Sequence, residues 1–124
     1  MKFQDINNFF KEPSRIQLVK EVAVCYVLAM LLEKGDLYGT ALVQWLEVNY
    51  PRYRLSDTVL YTALKFLEEE QAVIEGYWQK AEGRGRPRRM YTIRAEQVEL
   101  AQQFGQLWYQ YLAQNGSDSR QQSG

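Results

Sequence analysis

Three runs of helical apolar periodicity, a β-hairpin with a basic tip and one more helix predict the fold. It is mainly α (α+β): a winged helix-turn-helix with a two-stranded β-wing and a C-terminal dimerisation helix. The chain has 124 residues, enough for one domain with a hydrophobic core. Its expected division is an N-terminal arm (1–13), a winged-helix DNA-binding domain (14–94), a dimerisation helix (95–114) and a polar tail (115–124). The tail is rich in Ser, Gln and Gly, a composition that predicts disorder.

The arm mixes Phe3, Phe9 and Phe10 with polar residues and ends at Pro13, which leaves room for one helical turn. Ser14 to Gln17 has the spacing of a capping box, so the first helix is expected from Ser14 to about Lys34. Ile16, Val19, Val22, Ala23, Val27, Met30 and Leu31 recur along it, and Gly35-Asp36 stops it. The second helix runs from about Tyr38 to Tyr50 on an apolar face of Ala41, Leu42, Trp45 and Leu46, and Pro51 ends it. Residues 52–55 form a short extended link. Ser56 is the expected N-cap of a third helix, with Asp57 favourably placed at its positive end. That helix reaches about Gln71.

Val73 to Gln79 and Met90 to Ile93 are β-branched and aromatic and read as two strands of a hairpin. The glycines and proline between them make a long loop. The last helix, from about Ala95 to Ala113, carries a broad apolar surface. Leu100, Phe104, Leu107 and Tyr111 recur at spacings of 4, 3 and 4, flanked by Ala101, Trp108 and Leu112. One small domain covers only part of such a stripe. Leu100, Phe104, Leu107, Trp108 and Tyr111 are therefore the expected dimer contacts, in a two-fold self-complementary interface.

Composition removes several function classes. There is no histidine and one cysteine, Cys25, so neither a zinc site nor a disulfide is expected, and no metal or cofactor is called for. Cys25 sits in an apolar run and reads as a small buried hydrophobe. Glu68-Glu69-Glu70 supplies carboxylates, but consecutive helical positions face different ways, so they read as a solvated helix end and not as a catalytic pair. The longest apolar run, Val22 to Leu32, is shorter than the roughly 20 residues of a membrane span. No secretory pattern opens the sequence, and the protein reads as cytoplasmic.

What remains is a charge pattern. The formal net charge is zero. Yet Lys80, Arg84, Arg86, Arg88, Arg89 and Arg94 stand against Glu82 alone, a local balance of +5. Arginine suits phosphate and narrow grooves because its planar fork donates several hydrogen bonds at fixed charge. On the third helix Thr58, Tyr61, Thr62 and Lys65 share one face that the apolar stripe of Leu60, Ala63, Leu64 and Leu67 does not use. Ser56 opens that helix, and Arg52 and Arg54 precede it. The candidate interface with double-stranded DNA is thus Ser56, Thr58, Tyr61, Thr62 and Lys65 on the helix, with Arg52, Arg54, Arg84, Arg86, Arg88 and Arg89 on the wing and flanks.

Three ordered motifs resemble the PadR family of bacterial transcriptional regulators. They are Leu37 to Leu42, Leu60 to Glu70 and Gly85 to Ile93, within a likeness spanning about Val24 to Leu112. The resemblance implies a winged helix that dimerises through its C-terminal helix and represses promoters, with Tyr61, Thr62 and Lys65 on the recognition helix and Arg84, Arg86 and Arg88 on the wing. The Phe- and Asn-containing arm and the single short C-terminal helix depart from the common pattern. Those departures resemble a small cyanobacterial subgroup associated with the circadian clock, which implies a clock-gene promoter as target.

Two other readings stand beside the operator-binding repressor. One is a winged-helix module that binds another protein, since fold alone does not give function. The other is a ligand-responsive regulator with Trp45, Trp78 and Trp108 lining an aromatic pocket between protomers, against the simpler view that these are core or interface residues. The residues name no small-molecule effector.

Overall fold

The computed structural model describes residues 1–11, 15–80, 83 and 85–115. The arm holds a nine-residue helix, α1 (Phe3–Lys11), instead of a single turn. Asp5 explains its start: its carboxylate accepts a hydrogen bond from the Lys2 backbone N–H at 2.9 Å, beside the positive helix end.

The first long helix begins later than its capping pattern suggests. Ser14 lies outside the described residues, and Ile16–Gln17 form a strand, β1. It pairs in parallel with β3 (Tyr53–Arg54), Ile16 opposite Tyr53. The Ile16 and Leu18 N–H groups donate to the Arg52 and Arg54 carbonyls at 2.8 and 2.9 Å. These bonds hold the chain extended, so α2 runs only over Lys20–Lys34. Gly35, at φ +88°, closes it with its N–H on the Leu31 carbonyl.

A second unexpected strand, β2 (Leu37–Tyr38), leads into α3 (Gly39–Asn49). The hairpin is β4 (Ile74–Gln79) and β5 (Arg88–Ile93), and β2 joins it on the far side of β5. The expected two-stranded wing is therefore a three-stranded antiparallel sheet, ordered β2-β5-β4. Between α3 and the hairpin lies α4 (Asp57–Lys65), whose last turn widens into a π-helical stretch, Phe66–Glu70. Ala72, at φ +52°, then turns the chain into β4.

A short 3₁₀ turn, Ala95–Gln97, opens α5 (Val98–Gln114). This helix packs along α2 at very close range. A Cβ on Gly105 would stand 3.3 Å from the Ala29 backbone, so any larger residue there would push the two helices apart by a few tenths of an ångström. Below that contact Trp108 is fully buried, with the rings of Tyr26, Tyr50 and Tyr53 edge-on at 4.9, 5.6 and 6.0 Å. Tyr26, also buried, donates its hydroxyl to the Leu42 carbonyl at 2.6 Å. Burial and that neighbourhood push its phenol far above the ordinary tyrosine range. The aromatic cluster ties α5 and α2 to α3 and to β3, directly before α4.

Candidate nucleic-acid interface

Ser56 caps α4 as expected. Its Oγ accepts from the Val59 N–H at 3.2 Å. Leu60, Ala63 and Leu64 face the core, while Thr58, Tyr61, Thr62 and Lys65 are all exposed. Tyr61 is 59% exposed and so contributes little to the core. Its hydroxyl passes beside Gly39, where α3 begins. The Thr62 hydroxyl donates to the Thr58 carbonyl at 2.9 Å. Its proton is thereby engaged, so Thr62 offers outward an oxygen acceptor and a methyl group. Thr58 to Lys65 thus present hydroxyl, phenol and ammonium groups on one rigid surface, a mixture suited to base edges. Arg52 and Arg54 are exposed on and beside β3.

The wing arginines divide into two kinds. Arg86 and Arg88 are exposed, and Arg84 lies outside the described residues. The Arg88 guanidinium lies over the Tyr38 ring of β2 at 4.5 Å, which steadies its stem while leaving the charge accessible. Arg89 behaves differently from the DNA contact expected of it. It is half-buried, and its guanidinium donates to Glu68 at 2.7 Å. The same carboxylate oxygen accepts the Gly76 N–H at 3.1 Å. A Cβ at Gly76 would come within 2.6 Å of the Arg89 guanidinium, so the glycine makes room for the bridge.

Glu68 therefore corrects the view of the triple glutamate as a solvated helix end. It braces the wing against the end of α4, while Glu69 and Glu70 are exposed. The π-helical stretch carries it. Arg94 is likewise held, 3.5 Å from Glu75. Tyr91 packs beside the bridge, and burial chiefly, with Glu68 adding, raises its phenol above the usual range while Arg89 opposes.

The dimer stripe also divides. Trp108, expected at a partner, is buried in its own core, because the α5 positions facing α2 are Ala101, Gly105, Trp108 and Leu112. Tyr111 is half-buried and stacked on Trp108 at 6.1 Å. Leu100, Phe104 and Leu107 remain outward, 38, 37 and 42% exposed. They form one wall of an apolar groove of about 700 Å³ between α2, α4 and α5, with Val24, Cys25, Leu28 and Phe66 opposite. Cys25 is half-buried there, and burial pushes its thiol up. None of the three tryptophans lines this groove: Trp45 lies under the Lys34 ammonium, and Trp78 is exposed on β4. Phe66 was missed in the sequence because it sits one step off the helical stripe; it opens the π-helical stretch and lines the groove.

Residues 27–101, well over half of the chain, match the model of the transcriptional regulator PadR-like family. The chain belongs to the PadR-like family. As a PadR-like transcriptional regulator it is not an enzyme. Among solved structures, this PadR-like chain is similar to the circadian clock associated protein Pex from Anabaena. The identity is 50%, over 94% of this chain and all of the other, with a TM-score of 0.81. It is also similar to Pex from Synechococcus sp., at 58% identity over 90% of this chain and 98% of that one, TM-score 0.76. A PadR-like regulator from Bacillus cereus shares the fold at 23% identity, over 84% and 91% of the two chains, TM-score 0.51. A search of curated proteins returned no match. Among the described residues no helix is long and apolar enough to cross a membrane, and no cluster of three potential ligands is placed to hold a metal ion.

Proposed function

We propose that this PadR-like regulator is a sequence-specific DNA-binding repressor that acts as a homodimer on a palindromic operator. The observation that carries the reading is the exposed Thr58, Tyr61, Thr62 and Lys65 face of a capped helix, beside a wing bearing Arg86 and Arg88. Helix α4 enters the major groove and reads bases, and the wing arginines, Arg84 included, hold the flanking backbone with Arg52 and Arg54. The outward Leu100, Phe104 and Leu107 of α5 meet a second copy, which sets two recognition helices about 34–36 Å apart. The likeness to a protein described as circadian clock associated supports a clock-gene promoter as the target.

Selection of bound sites from random duplex DNA, followed by footprinting, tests this directly. The expected product is an inverted repeat with half-sites one helical turn apart. Thr62→Ala or Lys65→Ala then lowers discrimination against random DNA by about 1–3 kcal/mol per lost base contact. Equal weakening on selected and random DNA would reduce α4 to a phosphate anchor. No enrichment at all would favour a protein-binding module.

A further inference from the structure

The wing carries one large side chain that neither the core nor the arginines account for. Trp78, on β4, is 66% exposed, whereas Trp108 is fully buried and Trp45 half-buried. Tryptophan is on average highly buried, because its ring gains much from leaving water. Strand pairing fixes the face that Trp78 occupies. It stands opposite Arg89, and Gly76 stands opposite Tyr91. Residues two apart on a strand share a face, so Ile74, Gly76 and Trp78 lie with Tyr91 and Arg89 on one side of the sheet. Ile74 and Tyr91 are buried on that side, and at Trp78 it runs out into solvent. The same side adjoins α4 at two points. Arg89 crosses it to reach Glu68, passing so close that a Cβ on Gly76 would meet the guanidinium at 2.6 Å. Leu37 of β2 pairs with Tyr91, and the Tyr61 hydroxyl lies beside Gly39, two residues further on. Tyr61 and Trp78 thus stand at the two ends of one surface, with Tyr91 and the Arg89–Glu68 bridge between them.

We propose that Trp78 packs against the sugar-phosphate backbone of duplex DNA, on the strand that passes between α4 and the wing. The inference rests on the DNA-binding reading above and adds to its cations a neutral contact. Charge favours a duplex over a protein as the occupant. Lys80, two positions along from Trp78, is exposed, as are Arg86 and Arg88 across the hairpin. Glu68 and Glu75 are engaged by Arg89 and Arg94. The surroundings of the indole therefore call for an anion. An indole fits a nucleic-acid backbone in two ways: its ring lies on the apolar deoxyribose, and its Nε1–H, a donor only, bonds a phosphate oxygen. The ring is also steadied in advance. The Arg89 guanidinium lies over it at 5.4 Å and is itself held by Glu68. Such a contact neutralises no phosphate and releases no counterion, so it adds affinity without adding to the salt slope.

Acrylamide quenching of tryptophan fluorescence, with and without duplex DNA of random sequence at low salt, tests the contact. Random duplex serves because a backbone contact does not depend on sequence. In the intact chain DNA is expected to shield the most quenchable tryptophan, and in Trp78→Phe that shielding is expected to vanish. Trp78→Ala is expected to bind selected and random duplex alike about tenfold more weakly, at an unchanged salt slope. Its thermal unfolding should not move, since Trp78 is no part of the core. Trp78→Phe, which keeps a ring and loses the N–H, should bind with intermediate strength. The quenching arm decides the matter even if Trp78→Ala loosens the wing. A Trp78 that quenches equally in the free chain and in the complex overturns the proposal, and so does a Trp78→Ala chain that binds as tightly as the intact one. Either result leaves the cation contacts standing and the ring open to a protein partner. A slope that falls as it does in Arg86→Ala/Arg88→Ala would mean that Trp78 acts through those arginines, which also overturns it. If the intact chain binds no duplex at all, this contact and the DNA-binding reading fail together.

Discussion

Arg89 and its neighbours on the wing are adjacent in sequence and opposite in expected behaviour under salt. Arg89 is engaged by Glu68 at 2.7 Å, with side-chain exposures of 36 and 23% for the two residues. Arg86 and Arg88 are open. Each phosphate contact contributes about 0.9 to the slope of log K against log salt. Between 50 and 200 mM salt one contact is therefore worth about 3.5-fold in affinity, and two about 12-fold. Arg86→Ala/Arg88→Ala should lower the slope by about 1.8 per protomer bound. Arg89→Ala should leave the slope unchanged, and it should lower stability by about 1 kcal/mol, as befits a half-exposed bridge. The complementary change is Glu68→Gln, which keeps an acceptor near Gly76 but releases the guanidinium. It should steepen the slope by up to about 0.9 as Arg89 becomes available to phosphate. Fluorescence anisotropy on a fixed operator duplex across that salt range, with thermal melts in parallel, reads both quantities. A slope that falls in Arg89→Ala as much as in Arg88→Ala would mean that Arg89 leaves Glu68 on binding, and the brace argument would be refuted.

Two further outcomes test the scaffold. Gly105→Leu forces a side chain into a gap where even a Cβ stands 3.3 Å from the Ala29 backbone; overpacking of this kind should cost about 1–3 kcal/mol or more in a urea titration. Ser56→Ala removes the cap of α4 and should cost about 1 kcal/mol in stability, with weaker operator binding, because the face from Thr58 to Lys65 starts at that cap.

The sequence made much of this architecture legible because periodicity and caps are local signals. The α4 stripe, the Ser56 cap and the exposed Thr58–Lys65 face follow from helical spacing alone. The two-residue strands β1 and β2 do not, since two residues carry no period and their pairing partners are far away in sequence. The Ser14 pattern misled for the same reason: a local capping preference lost to the tertiary pairing of Ile16 and Leu18 with β3. Trp108 shows another limit. An apolar stripe on a helix states how much surface needs covering, but not whether the cover is the helix's own core or a partner. The answer lay in Gly105, which lets α5 approach α2 closely enough for Trp108 to reach Tyr26. Glu68 and Arg89 were each visible, and their bridge was not, because 21 positions separate the two in sequence and no local pattern joins them.

The same bridge changes the charge arithmetic on which a DNA reading depends. Between Lys80 and Arg94 the sequence counts six basic side chains against Glu82, or +5. Folding brings two acids from outside that window into contact, Glu68 on Arg89 and Glu75 on Arg94, which leaves +3. Among the described wing residues, those not held by an acid in this way are Lys80, Arg86 and Arg88. At about 0.9 per phosphate, two wings of these three residues and Arg84 contribute a salt slope no steeper than about −7. A steeper measured slope requires further cations at the backbone, and Arg52 and Arg54, which precede α4, and Lys65, which lies on it, are the candidates. Substituting Arg52 and Arg54 would then recover the difference, whereas further wing substitutions would not. The net charge of zero is thus no argument against an anionic partner. What decides is which cations the fold leaves open, and among the described wing residues Arg86 and Arg88 are exposed while Arg89 and Arg94 are held by Glu68 and Glu75.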